Sequence, residues 1–577
     1  MPLQAGRPVR LGLFAVTVAG RRAAAEVSAS LVGGEPAELA ELEKRWPELG
    51  AAVFFLATGA TVRLIAPLLV DKHTDPGVVC VDEARRFVVA LAGGHAGGAN
   101  VLAQRVAAVL GAQPVITTAS DAAGTTGLDG LVDLLDAAVD GDLAAAGTAL
   151  LDGAARVENP LGFPLPPLPP ATTTPRHSIT ITDRAGTAAA ISDGAGTAIM
   201  GTTRLVPPTI VVGIGSVRGV PATAVAATLR RLRTEHGLDP RAIRAYASVD
   251  LKADEAGILA AIAPASLTTY PAEVLAGVEV PNPSEVVRAE VGTASVAEAA
   301  ALHAAADLAH GAPVELVVEK IRGENVTVAA ARIRPRGRLA IVGLGPGATD
   351  LRVPRADVEL RRAAVVVGLD QYVDQVRHLL RPGTEIRASG LGAEEQRAAE
   401  AVTLAVQGHA VALIGSGDAG VYAMASPALQ QAGADIEVVG VPGVTAALAA
   451  AALLGAPLGH DHVLISLSDL HTPWPVIERR VAAAATADLV TCFYNPRSRD
   501  RHWQLGAALE ALRAHRPPQT PVGAVRQAGR GGQRVWCAPL AEFDPAEVDM
   551  LTTVIVGSSA TRMVAGRMVT PRGYPWS

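Results

Sequence analysis

The residues best placed to do chemistry in this chain are mostly small. Three glycine turns, Gly343-Leu344-Gly345-Pro346-Gly347, Ser416-Gly417-Asp418-Ala419-Gly420 and Pro442-Gly443-Val444-Thr445, each follow an apolar run that reads as a buried strand. Such turns leave backbone N–H and carbonyl groups open to a ligand. The first also satisfies a dinucleotide fingerprint, Gly343-x-Gly345-x-x-Ala348, with Asp370 at a distance suited to a ribose. Two features count against a pyrophosphate. Pro346 has no N–H to offer, and the next helix is expected only from Pro354, so its dipole starts too far along the chain. A nucleoside with a zwitterionic amino-acid tail suits several backbone-lined turns better. S-adenosylmethionine is such a ligand: its carboxylate can take N–H groups, and its adenine can be read by backbone carbonyls and small side chains such as Thr445 and Ala446.

Other candidates are scattered. LAGGHAGGAN, residues 91–100, wraps His95 in four glycines, and an imidazole there is suited to general-base work near neutral pH; Asn100 and the later ITTASD accompany it. Only four lysines occur among 50 basic residues, and three of them, Lys72, Lys252 and Lys320, sit in polar stretches expected at strand ends. Ser468, Asp469, His471 and Thr472 form a polar cluster before Pro473, where Thr472 and Pro473 read as a helix cap and first helical position.

These residues must be positioned by several cores, since 577 residues imply roughly three or four domains. Strand-like runs alternate with helical stretches over residues 1–150, the grammar of an α/β layer. Residues 151–205 hold seven prolines between Pro160 and Pro175 and read as a linker and variable segment. A second α/β unit covers 206–331, and 332–338 is a short basic linker. From 339 to 577 the runs LAIVG, AAVVVG, AVALIG, IEVVG and HVLISL predict an open, mostly parallel sheet, with ligands outside the carboxyl ends of its strands.

Composition excludes several classes. A net charge of -6 without a basic block and 3% aromatic residues argue against nucleic acid, so the partner is expected to be a small molecule. Three scattered cysteines indicate neither a disulfide framework nor a metal site, and no metal is expected; the cytoplasm is the natural compartment. LGLFAVTVAG imitates a short signal peptide but reads also as a first buried strand. The alanine-rich run Val444 to Leu458 falls short of the roughly 18 residues a membrane span requires.

GLGPG, GSGDAGVYAMA, PGVTAALAAAALLGAPLGHD, SLSDLHTPWPVIERR, FYNPRSRDR and MVTPRGY together resemble the precorrin-3B/cobalt-factor III C17-methyltransferases of the tetrapyrrole methylase family, over about residues 339 to 574. The resemblance implies a two-domain class III methyltransferase fold, with subdomains 339–460 and 461–577, pairing as a homodimer. It implies S-adenosylmethionine held at Gly345, Pro346, Gly347, Ser416, Gly417, Asp418, Val421, Thr445, Ala446, Asn495 and Gln527. Where the family has proline after the aspartate of the second loop, this chain has Ala419. The reaction implied is C17 methylation with contraction of a tetrapyrrole macrocycle. Asp469 or His471 is expected to face that macrocycle. Its carboxylates call for arginine forks, with Arg497, Arg499 and Arg572 as first candidates and Arg501, Arg526 and Arg530 beside them.

The first half resembles the cobalt-precorrin-5A hydrolases (CbiG) over about residues 10 to 331, through LAGGHAGGAN, APLLVDKHTDP, VVGIGSVRG and VPNPSEVVRAEVGTASVAEAAAL. That family opens a lactone and releases acetaldehyde. His95 as base, with Asn100 or Lys252 stabilising the oxyanion, is the expected arrangement. Ser216 stands where the family normally has cysteine. A non-catalytic tetrapyrrole carrier is the alternative for this half, and a nicotinamide-dependent dehydrogenase the remote alternative for the other.

Overall fold

The computed structural model describes residues 10–31, 34–71, 74–94, 97–118, 124–186, 201–498 and 501–574. Apart from the short segments Phe163–Pro166 and Arg381–Gly383, the chain forms two compact units that divide between Pro335 and Arg336.

The first unit contains three sheets. Strands β1 (Arg10–Ala15), β2 (Gly34–Ala37), β3 (Leu49–Phe55), β4 (Gly77–Val81), β5 (Phe87–Ala92) and β6 (Gln113–Val115) pair in the order β2-β1-β3-β4-β5-β6, parallel except between β4 and β5. The run that imitates a signal peptide is β1, with Leu11, Leu13 and Phe14 buried. Strands β7 (Ala138–Asp140), β8 (Ala155–Glu158), β9 (His177–Ile181) and β10 (Gly201–Val206) form a second sheet in the order β7-β10-β9-β8. The segment read as a linker thus supplies three of its strands, β8, β9 and all of β10 but Val206, and the prolines from 160 to 175 lie between β8 and β9, where no helix or strand forms.

The third sheet, in the order β13-β12-β11-β15-β14, comprises β11 (Ile210–Ser216), β12 (Ile243–Val249), β13 (Leu267–Tyr270), β14 (Val314–Arg322) and β15 (Val326–Ile333). Strands β11, β12 and β13 run parallel, so their carboxyl ends share one edge, while β14 and β15 run antiparallel. A buried ionic cluster supports this region. Asp239 accepts from Arg204 Nη2 at 2.8 Å and from Arg241 Nε and Nη2 at 3.0 and 2.8 Å. Burial alone would raise its carboxyl, but the hydrogen bonds from Arg241 and Arg204 prevail and hold it well below the ordinary carboxylate range. A depressed folded-state value stabilises above the unfolded value, near 4 for aspartate, and that stability disappears as pH falls through the folded one. Asp239→Asn is therefore expected to lower stability at pH 7 and to flatten the loss below about pH 4. Urea unfolding of both proteins across that range checks this, and parallel pH curves would refute it.

The second unit is built on two sheets. Strands β16 (Gly337–Gly343), β17 (Val365–Leu369), β18 (Glu385–Ser389), β19 (Ala410–Gly415) and β20 (Ile436–Val441) form a wholly parallel sheet in the order β18-β17-β19-β16-β20. Its central strands read as unbroken apolar runs because cores cover both faces: Leu339, Ile341 and Leu413 lie in one, Val342, Val366 and Ile414 in the other. A ribbon of β21 (Gly455–Ala456), β27 (Arg562–Val564) and β28 (Arg567–Val569) adjoins a mixed sheet in the order β22-β23-β26-β24-β25. The mixed sheet contains β22 (His462–Ser466), β23 (Val490–Tyr494), β24 (Pro521–Arg526), β25 (Arg534–Pro539) and β26 (Thr552–Val556). HVLISL, expected in the parallel sheet, is β22 and opens this second one. Its pattern specifies a strand, while the partner is set by the long-range parallel pairing with β23. Among the described residues no helix is long and apolar enough to cross a membrane.

Candidate functional site

Beyond the ends of β16 and β19 the chain keeps pairing through glycine. Gly345 N donates to Gly417 O at 3.0 Å and Gly417 N to Gly345 O at 2.8 Å. The turn after β20 packs into the same place. A Cβ built on Gly443 would lie 2.0 Å from Gly417 O and 2.9 Å from the Gly343 carbonyl, so backbone meets backbone where only hydrogen fits. Asp418 braces the arrangement, with Oδ2 accepting from Gly443 N at 3.0 Å and Oδ1 from Gly420 N at 2.8 Å. The turns at Gly345, Gly417 and Gly443 therefore meet at one point, outside the carboxyl ends of three parallel strands. Beside them Gly415 is buried, yet a Cβ there would meet nothing within 4 Å.

The helix Ala446–Leu454 starts directly after the third turn, and its N-cap, Thr445, makes no side-chain cap bond. Tyr494, the last residue of β23, does so instead: Ala447 N donates to its Oη at 3.0 Å, and Thr445 Oγ1 lies 2.5 Å away. Burial pushes the Tyr494 phenol up, so it stays protonated and can serve both partners. Tyr422 packs its ring 5.4 Å from that of Tyr494 and donates from Oη to Leu464 O at 2.8 Å.

Arg530 ties the loops from the other side. Its Nε donates to Pro346 O at 2.6 Å and its Nη2 to Ser416 Oγ at 2.8 Å. The side chain crosses Gly347, whose φ is +139° and whose added Cβ would fall 2.5 Å from Arg530 Cγ. Three non-glycine residues here hold left-handed backbone, Tyr422 at φ +52°, Asn495 at +48° and Gln527 at +50°. Such residues carry a conformational cost that surrounding structure must sustain, and they gather at ligand sites.

The expected cofactor residues fall as follows. Pro346, Ser416, Gly417, Asp418, Thr445 and Ala446 lie on or directly beside the joined turns, and Val421 follows half-buried, its N donating to Asp418 O at 3.3 Å. Asn495 donates from Nδ2 to Ser466 Oγ at 3.1 Å. Gln527 accepts from Arg526 Nη1 at 2.7 Å and, through its carbonyl, from Arg530 N at 3.0 Å. The expected helix start at Pro354 is observed, with proline at its first turn, and Asp370 is the first residue of the helix Asp370–Val376. Only a single 3-10 turn, Thr349–Leu351, follows the Gly345 turn before the α-helix at Pro354, so the α-helix N-terminus that seats a pyrophosphate in a dinucleotide site is missing there.

The expected substrate groups are less tightly gathered. Asp469 accepts from Gln504 Nε2 at 2.9 Å, His471 is exposed, Arg497 donates to Pro545 O at 3.3 Å, and Arg572 lies over the Tyr574 ring at 6.0 Å. Arg499 lies outside the described residues. Arg501 is buried and donates to Leu467 O at 3.0 Å and Asn495 O at 2.8 Å, a brace between loops instead of a carboxylate grip. Burial also lowers its guanidinium from the usual range.

In the first unit, His95 and Lys72 lie outside the described residues. Asn100 donates from Nδ2 to Thr118 Oγ1 at 3.1 Å and from its backbone to Gly94 O at 3.0 Å, so LAGGHAGGAN and ITTASD do meet. Lys252 stands on a different sheet, just past β12. Among the described residues no cluster of three metal-ligating side chains occurs.

Sequence reading missed the roles of Tyr494 and Tyr422, although both stand in quoted motifs, FYNPRS and GDAGVY. It placed Arg530 among substrate grips, whereas its hydrogen bonds go to the glycine loops.

Comparison with known proteins matches residues 338–544 to the model of the Tetrapyrrole (Corrin/Porphyrin) Methylases. Residues 40–121 match that of Cobalamin synthesis G N-terminal, and 210–331 that of Cobalamin synthesis G C-terminus. A probable cobalt-factor III C(17)-methyltransferase of Salmonella typhimurium is 47% identical over 242 residues, 41% of this chain and 99% of that protein. A precorrin-3B C(17)-methyltransferase of a Sinorhizobium species is 43% identical over 250 residues, 41% of this chain and 97% of that protein. The crystal structure of the methyltransferase CobJ aligns at 37% identity and a TM-score of 0.38, covering 41% of this chain and 100% of that one.

Proposed function

We propose a function from the premise that the chain belongs to the tetrapyrrole methylase family and carries the N- and C-terminal parts of the cobalamin synthesis G family ahead of the methylase. The second unit is a C17-methyltransferase of corrin-ring biosynthesis, acting on precorrin-3B or cobalt-factor III. The observation that carries this reading is the convergence of the Gly345, Gly417 and Gly443 turns, a cradle of backbone groups that a single Cβ would fill. S-adenosylmethionine fits such a cradle, which offers N–H and carbonyl groups and has no α-helix directly after its first turn to seat a pyrophosphate. When bound it supplies an electrophilic methyl sulfonium. The chain's own residues then have to hold, orient and exclude water. Pro346, Ser416, Val421, Thr445, Ala446, Asn495 and Gln527 would line the cofactor, with Asp418, Tyr494 and Arg530 fixing the turns. Asp469 and His471, on the loop after β22, would face the macrocycle, and Arg497, Arg499 and Arg572 would meet its carboxylates.

The first unit is proposed as the lactone hydrolase of the same pathway, in preference to a carrier. Two separate family segments of that type support it. Incubating the purified protein with labelled S-adenosylmethionine and either precorrin-3B or cobalt-factor III tests the methyltransferase. Incubation with cobalt-precorrin-5A tests the hydrolase, since binding without acetaldehyde release would favour the carrier. Light scattering tests a proposed homodimer through the methylase half, and cell fractionation a cytoplasmic location.

A further inference from the structure

Most buried ion pairs of the first unit are closed by direct hydrogen bonds, as in Arg204–Asp239 at 2.8 Å and Arg332 Nη2–Asp183 at 3.0 Å. Lys252 and Glu255 differ. Their side chains are only 12% and 4% exposed, yet Nζ and Oε2 stand 3.6 Å apart, beyond hydrogen-bond distance, and Oε2 accepts no hydrogen bond. Two dehydrated charges held this loosely are costly unless a further group completes them.

Their place in the fold is that of a ligand site. Both follow β12, whose neighbour β11 ends at Ser216, and the two strands run parallel, so these residues sit at adjoining carboxyl ends. The loop after Ser216 is knit to the same segment. Arg218 Nη1 donates to Leu251 O at 3.1 Å, its two Nη atoms grip Asp254 at 2.7 and 2.9 Å, and Gly219 N donates to Glu255 Oε1 at 2.9 Å. Ser216 Oγ is buried without a partner. The Gly219 bond fixes one oxygen of Glu255 and leaves the other beside the ammonium.

We propose that Glu255 is the general base and Lys252 the oxyanion partner of lactone opening, a proposal that rests on the hydrolase reading above. Glu255 Oε2 takes a proton from water, and the water oxygen bonds to the lactone carbonyl carbon. The C=O electron pair moves onto the carbonyl oxygen, facing the Lys252 ammonium. As that pair returns, the ring C–O bond breaks and the departing oxygen takes the proton from Glu255. One water is consumed, and an acid and an alcohol result. No oxidant or metal enters the balance.

The test uses the full chain and cobalt-precorrin-5A, with lactone opening followed by mass spectrometry of the opened hydroxy acid. Glu255→Gln keeps an amide oxygen for Gly219 N but removes the base. It is expected to slow opening by about 100-fold or more, with methyl transfer by the same preparation unchanged and part of the rate restored by Glu255→Asp. Opening at the unmodified rate in Glu255→Gln overturns the assignment. Should that variant unfold, Lys252→Met, which leaves the Gly219 bond in place, carries the same expectation and the same refutation. If the unmodified protein binds the lactone but never opens it, the hydrolase reading itself fails and takes this assignment with it, an outcome distinct from a defect confined to the variants.

Discussion

Gly443→Ala is expected to abolish S-adenosylmethionine binding, while Gly415→Ala leaves the fold intact and weakens binding. At Gly443 the added methyl would stand 2.0 Å from Gly417 O and 2.9 Å from Gly343 C and O, all backbone atoms held by strand pairing on either side. No rotamer change can relieve that contact. The turn must move away, and it takes with it the Asp418 hydrogen bond to Gly443 N and the entry to the helix at Ala446. Overpacking of this kind costs about 1–3 kcal/mol in a core that can adjust, and this one has backbone on both sides. A rise in Kd of at least about 100-fold, some 2.7 kcal/mol, is expected together with a lower melting temperature. At Gly415 the same methyl meets no protein atom within 4 Å, so any effect arises from a ligand in that space. A weakening of about tenfold, or 1.4 kcal/mol, is expected there with unchanged melting. Calorimetric titration and thermal unfolding of both variants decide the matter. Unmodified affinity in Gly443→Ala would mean that the three turns are not the cofactor site.

Part of the candidate site was legible in the chain. Gly345, Gly417 and Gly443 were readable because a glycine at a strand end has a local meaning, a positive φ or a close approach. The late start of the helix at Pro354 was readable for the same reason, since proline marks a first turn without help from distant residues. Strands such as Gly337–Gly343 announced themselves by apolar runs that two covering cores require.

What stayed hidden depends on partners far away in sequence. Tyr494 replaces a missing helix cap 47 residues earlier, and nothing in FYNPRS specifies that partner. Strands β8 and β9 flank a proline-rich stretch whose composition dominates the reading, although each is short and pairs only within a small sheet. Arg501 was weighed as a carboxylate grip because arginine is versatile. Its burial, which turns the guanidinium toward Leu467 O and Asn495 O, is a property of the packed loops.

Arg530 poses this last ambiguity in testable form. By residue type it suits a substrate carboxylate, yet it bonds Pro346 O at 2.6 Å and Ser416 Oγ at 2.8 Å, one group on each of two glycine loops. Hydrogen bonds from a charged donor contribute about 1.5–3 kcal/mol each, less where water can substitute, and Arg530 is half-buried. Arg530→Ala frees both loops and exposes both acceptors, so one such increment, roughly a 10- to 100-fold rise in the Kd for S-adenosylmethionine, is the expected result. Arg530→Lys should recover little, because a single ammonium cannot span the two acceptors as the planar fork does. A clamp acts before the second substrate arrives, so the loss should appear in cofactor affinity measured without tetrapyrrole. A grip on the macrocycle predicts the reverse: unchanged cofactor affinity and a raised KM for the tetrapyrrole. Measuring both constants on the one variant separates the two roles, and the second pattern would return Arg530 to the substrate side.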